Sequence, residues 1–134
     1  MTKIIDVEGI GPKYAEKLQK AGIRTLSALL EKGKTPKGRQ EIAKQTGISE
    51  SLILEWVNHA DLFRIKGVGS EYSDLLEAAG VDTVPELANR KPENLYQKLV
   101  SVNQEKELVR KLPTEKQVED WVLQAKQMAR IITY

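Results

Sequence analysis

Chemistry is concentrated at a glycine pair near the amino end, where Val7, Glu8, Gly9, Ile10 and Gly11 run into Pro12 and Lys13. Two glycines flanking one apolar residue let the main chain turn sharply and approach another backbone with no Cβ in the way. Pro12 suits a first helical position, so the N–H groups of the loop and of the first turn point outward together, backed by the positive end of the helix dipole. Such a place suits a phosphate. Lys13, Lys17, Lys20 and Arg24 lie on or just past the same helix and add Coulomb attraction along a nucleic-acid backbone, while Ile10 is expected to point inward and anchor the loop. From Lys13 to Lys44 nine bases, Lys37 and Arg39 among them, stand against three acids, and this stretch is the candidate electrostatic footprint. Lys37 and Arg39 follow a second helix start at Thr35 and Pro36, which is expected near the same ligand. The candidate nucleic-acid-binding set is therefore Gly9, Ile10, Gly11, Lys13, Lys17, Lys20, Arg24, Lys37 and Arg39.

Other chemistry is largely excluded. The chain has no Cys and one His, His59, which removes disulfides, thiolate metal sites, cysteine nucleophiles and histidine-rich mechanisms. Glu105, Glu107, Glu119 and Asp120 have the helical spacing of a water-facing surface, and no His or Asp cluster joins them. No catalytic residue, metal ligand or cofactor is expected, and the reading is not an enzyme. His59 falls on the polar side of its helix and is expected to be exposed. Trp56, Trp121, Tyr14 and Tyr72 recur at matched helical positions, which argues for core packing over base stacking.

These residues must be positioned by a chain of 134 residues with 40% hydrophobic and 30% charged content and a formal net charge of +2. A globule of that size buries roughly two thirds of its unfolded surface, so a core is within reach. No apolar run approaches the ~18 residues of a membrane span, and MTKIIDVEG lacks the apolar stretch of a signal peptide. A soluble cytoplasmic protein with no membrane partner is the expectation.

The organisation is an internal repeat. Residues 7–30 match residues 65–88 without a gap, placing Gly9, Gly11, Tyr14, Leu18, Gly22 and Thr25 on Gly67, Gly69, Tyr72, Leu76, Gly80 and Thr83. A looser match sets Trp56, Val57 and Ala60 on Trp121, Val122 and Ala125, with some seven extra residues before the last helix of the second copy. Copy one is assigned to residues 1–64 and copy two to 65–134.

Each copy reads as helical. Pro12 and Gly22 bracket a helix with Tyr14, Leu18 and Ala21 on one face; Thr25 caps a short helix carrying Leu26, Leu29 and Leu30. Thr35 with Pro36 opens a helix that stops at Gly47, and Ser49 caps a longer one with Ile53, Trp56 and Val57 inward. Copy two adds capping boxes at Thr83 with Glu86 and Thr114 with Gln117. No segment alternates long enough to argue a strand. The fold class is all-α, with about five helices in each copy packed as a pseudo-twofold unit. The first loop lacks a preceding helix, so the C-terminal helix, about Glu115 to Ala129, is expected to fold back onto it in a closed monomer or to cover it in a helix-swapped dimer.

The segment VEGIGPKYAEKLQKAGI resembles the helix-hairpin-helix motif of DNA repair, replication and recombination proteins. That resemblance implies contact between hairpin N–H groups and DNA phosphates without sequence preference, sometimes with a monovalent cation held by hairpin carbonyls. The paired copies, together with Thr35–Arg39 (TPKGR), resemble the uncharacterised domain-of-unknown-function family 4332.

Copy two departs from the motif in charge. Ser70 and Glu71 replace Pro12 and Lys13, and Leu75, Ala78 and Asp82 replace Lys17, Lys20 and Arg24. Residues 7–30 carry four bases against two acids; residues 65–88 carry one base against five acids. Glu71 sits where a phosphate would approach, so the second hairpin is expected to be structural or to meet a protein. The resulting expectation is a DNA-backbone-binding module or adaptor working through the first hairpin. Its alternative is a protein-interaction or scaffolding module that binds no nucleic acid.

Overall fold

Helix starts fall where the sequence supplies a capping hydroxyl, a proline or a glycine turn. In a computed structural model, which describes residues 3, 4, 7 and 9–134, they open eight helices. The first four are α1 (Gly11–Lys20), α2 (Leu26–Gly33), α3 (Pro36–Thr46) and α4 (Glu50–Leu62). The second four are α5 (Ser70–Ala78), α6 (Val84–Ala88), α7 (Pro92–Lys106) and α8 (Glu115–Gln127). Among the described residues no strand forms, and Lys3 with Thr25 makes an isolated antiparallel bridge. The fold is all-helical, with four helices per repeat where about five were expected.

A run of short turns leads into α5, and described bonds of the same kind precede α1. Ile65 N donates to Leu62 O at 3.0 Å and Val68 N to Ile65 O at 3.1 Å; Val7 N to Ile4 O at 3.2 Å and Ile10 N to Val7 O at 3.4 Å repeat the pattern before α1. All six residues are buried. Apolar residues at every third position are served by successive three-residue turns, which leave no room for a regular helix there.

Caps agree with the sequence at most ends. Thr25, Thr35 and Thr83 accept from Ala28 N, Gly38 N and Glu86 N, and Ser49 accepts from Leu52 N at 3.3 Å. Thr114 and Gln117 form the full reciprocal box. Only half of the expected Thr83–Glu86 box is seen, because the Glu86 carboxyl engages Asp82. After α1 and α5 the chain closes in the same way. Ile23 N reaches Leu18 O and Gly22 N reaches Gln19 O; Val81 N reaches Leu76 O and Gly80 N reaches Glu77 O. Gly22 at φ 85° and Gly80 at φ 94° supply the left-handed residue this double bond requires.

The chain divides into two compact units, one of the described residues up to Asp61 with Ile131–Tyr134, the other Leu62–Arg130. In the first, Ile10, Leu18, Ile23, Leu29, Ile53 and Val57 are buried, and Tyr14 packs edge-on against Trp56 at 5.2 Å. In the second, α8 packs on α6 and α7, and Tyr72 meets Trp121 at 5.2 Å. The expectation that the C-terminal helix covers the first loop is therefore corrected: α8 serves the unit of the second loop, and α4 supplies the tryptophan of the first. The extra residues of the second copy go into the longer α7 and the connection 107–114, which Asn103 holds through Val109 N and O and Tyr72 Oη holds through Lys111 O. Two further expectations change: His59 is buried at 7% exposure, and Tyr14 keeps 38% of its surface exposed. No helix among the described residues is long and apolar enough to cross a membrane.

The TPKGR segment has a packing reason. A Cβ at Gly38 would collide with the main-chain oxygen of Lys32, so α3 starts against the end of α2 with only hydrogen between them. Gly38→Ala is expected to cost about 2–3 kcal/mol in urea unfolding, since a backbone oxygen has no rotamer by which to move aside.

Candidate nucleic-acid interface

Gly9 (φ 90°) and Gly11 (φ 75°) both take the left-handed conformation, and Ile10 between them is buried at 2% exposure. The loop is anchored as expected. Glu8, which precedes it, lies outside the described residues. Gly9 and Gly11 are exposed, and a Cβ built on either meets no atom of the described residues within 4 Å. Among the described residues no side chain caps α1, and its first turn holds no acid. The N–H groups of that turn, less the one that Pro12 lacks, are available to an incoming acceptor.

Lys13, Lys17 and Lys20 are exposed and, by helical spacing, share one face of α1, opposite buried Ala15 and Leu18. From Lys13 to Lys20 that face runs about 10 Å. Lys20 also pairs with Glu16 at 3.3 Å, with both side chains largely in solvent, so its attraction for an anion is reduced but retained.

The remaining candidates lie elsewhere. Arg24 follows the far end of α1, about 15 Å from the loop. Ala21, Lys32, Gly38 and Ile42 line one shallow hollow, so the start of α3, with exposed Lys37, lies beside the same far end. That helix start is already capped by Thr35 at 3.0 Å. The expectation that it shares a ligand with the first loop is corrected on both counts. Arg39 is corrected more strongly. It is 6% exposed, donates through Nη1 to Gly33 O and through Nη2 to Thr133 O, each at 2.8 Å, and lies 5.8 Å over the Tyr134 ring. Its guanidinium is turned inward.

The second loop has the same first turn and a different surface. Gly67 takes φ 96° like Gly9, but Gly69 is extended at φ −102°, unlike Gly11. Gln124 of α8 accepts from Lys66 N at 2.8 Å and donates to Lys66 O at 3.0 Å. The Trp121 Nε1 would stand 3.1 Å from a Cβ on Gly67. The last helix thus covers the second loop, and Glu71 stands in the first turn of α5. Gln124 was missed in the sequence because a side chain bonding to main chain leaves no residue pattern; in the repeat register it falls on His59.

A family model described as "Domain of unknown function (DUF4332)" matches residues 8–128. The chain belongs to the DUF4332 family. No curated protein and no solved structure matches it. The DUF4332 match spans both loops and all eight helices, so the open loop and the covered one are parts of one family domain.

Electrostatics sharpen the contrast. Burial, the hydrogen bond that protonated Glu86 donates to the Asp82 carboxylate and the charge of Asp82 raise the pKa of Glu86 above the ordinary glutamate value, with Thr83 and Arg90 opposing. A carboxyl whose folded pKa is raised contributes its full stability below its unfolded pKa and loses it as pH rises through the folded value. Glu86→Gln, which never ionises, is therefore expected to gain stability relative to the parent as pH rises from ~4 to ~7. Thermal unfolding of both proteins across that range checks it, and Asp82→Asn should remove much of the difference.

Proposed function

We infer that the chain is a tandem helix-hairpin-helix protein that holds a nucleic-acid backbone weakly through its first hairpin. One observation carries the reading: Gly9 and Gly11 are exposed, and among the described residues nothing fills the turn or caps α1 behind it, whose first turn holds no acid. Preorganised N–H donors at a positive helix end suit a phosphate oxygen, and the Lys13–Lys17–Lys20 face extends the attraction to neighbouring phosphates. No base-reading element accompanies the hairpin, so contact is expected to be indifferent to sequence. The second hairpin serves as a packing device, supported by the grip of Gln124 on Lys66 and by Glu71 at its helix start.

Two to four phosphates neutralised imply a salt slope of roughly −2 to −4 in log–log form. Fluorescence anisotropy of a labelled duplex at low salt is expected to show that slope for the parent and a several-fold loss for Lys13→Glu. Equal binding by the two proteins, or none by the parent, would leave both hairpins as packing devices and favour a protein-interaction module.

A further inference from the structure

The carboxy-terminal tail, Ile131–Tyr134, belongs to the first unit although the chain reaches it from α8 of the second. Its seat has the features of a peptide-recognition site. Thr133 N donates to Lys34 O at 2.8 Å, and Thr133 O accepts from Arg39 Nη2 at 2.8 Å, so the main chain is bonded on both sides of one residue. Ile132 is buried at 2% exposure. Two residues on, the Tyr134 ring lies under the Arg39 guanidinium and its hydroxyl donates to Asn58 Oδ1 at 3.0 Å. Main-chain bonds with alternate side chains anchored is the physics by which proteins read extended peptides.

The seat also needs an occupant. Arg39 and Asn58 are both buried, and the tail supplies an acceptor to one and a donor to the other. Buried polar groups deprived of their partners carry a desolvation penalty, which any extended segment making the same bonds relieves. We propose that this seat, built by Lys34, Arg39 and Asn58, is an exchangeable recognition site for an extended Ile-Thr-Tyr segment, and that its partner in solution is the tail of a second copy of this chain. An identical segment makes identical bonds, so exchange needs no new contact, only release of the resident tail. The resident tail competes at an effective concentration on the order of millimolar, which makes it a built-in inhibitor of the exchange.

The test uses the full chain and a fluorescent hexapeptide of residues 129–134. Binding to Ile132→Asp and to Tyr134→Ala, whose own tails are weakened, is expected to be at least ~10-fold tighter than to the parent. Adding Arg39→Ala should abolish it, and added salt should leave it unchanged, unlike binding at the first hairpin. In the parent, excess unlabelled peptide should accelerate hydrogen exchange at the Thr133 amide. Equal binding to parent and variants, binding that survives Arg39→Ala, or no change in Thr133 exchange at high peptide concentration would overturn the proposal.

Discussion

Everything at the candidate interface depends on burying three apolar side chains spaced three residues apart while the chain prepares to enter a helix. Leu62, Ile65 and Val68 do this before α5; Ile4, Val7 and Ile10 do it before α1. Before α5, burying every third residue turns the intervening main chain outward in tight turns, and Gly67 stands where it passes through left-handed space, as Gly9 does before α1. The outward main chain then has polar groups to satisfy. In the second unit α8 satisfies those of Lys66 through Gln124. In the first, the loop stays open at Gly9 and Gly11. The functional reading is thus a consequence of hydrogen-bond accounting, with charge as the second factor.

The two units share one local architecture and differ in charge. The capping threonines, the stop glycines and the tyrosine–tryptophan contact are common to both units and concern packing. What differs is the lysine face of α1, where exposed Lys17 and Lys20 give way to core Leu75 and half-buried Ala78 in α5, the acids of α5 and α6, and an extended Gly69 where Gly11 is left-handed. Cations are also reused for stability at matched positions. Arg90 donates to Ala79 O, the end of α5, and the Lys32 ammonium lies beside Gly22 at the end of α1, where helix carbonyls concentrate negative charge.

Helices were legible because their signals are local: a hydroxyl or proline at the start, a glycine at the stop, apolar residues at helical spacing between. Ile10 as an inward anchor was legible for the same reason. What was not legible depends on distant groups. That α8 packs within the second unit follows from the packing of Trp121 against Tyr72, and the burial of His59 from the enclosure of α4 from Trp56 to Leu62. The half-formed box at Thr83 reflects competition from Asp82 for the Glu86 carboxyl, a choice between two near neighbours that residue types alone leave undecided.

Arg39 shows most clearly why counting bases overstates a footprint. Of the nine between Lys13 and Lys44, Arg39 is enclosed by Gly33 O, Thr133 O and Tyr134, Lys32 stands at the end of α1, and Lys34 and Lys20 pair with Glu31 and Glu16. The guanidinium is suited to its post because its planar fork reaches two carbonyls while its face covers an aromatic ring; a lysine there has no fork to do either. Its partner lies ninety-four residues away in the chain, so no local pattern marks it. The attraction left for a polyanion therefore rests on Lys13 and Lys17 beside the first loop, with Lys20 reduced by Glu16, Arg24 and Lys37 a helix length away, and Lys44 exposed late in α3. A few charges acting with preorganised main-chain donors favour short-range contact with two to four phosphates over a broad electrostatic surface.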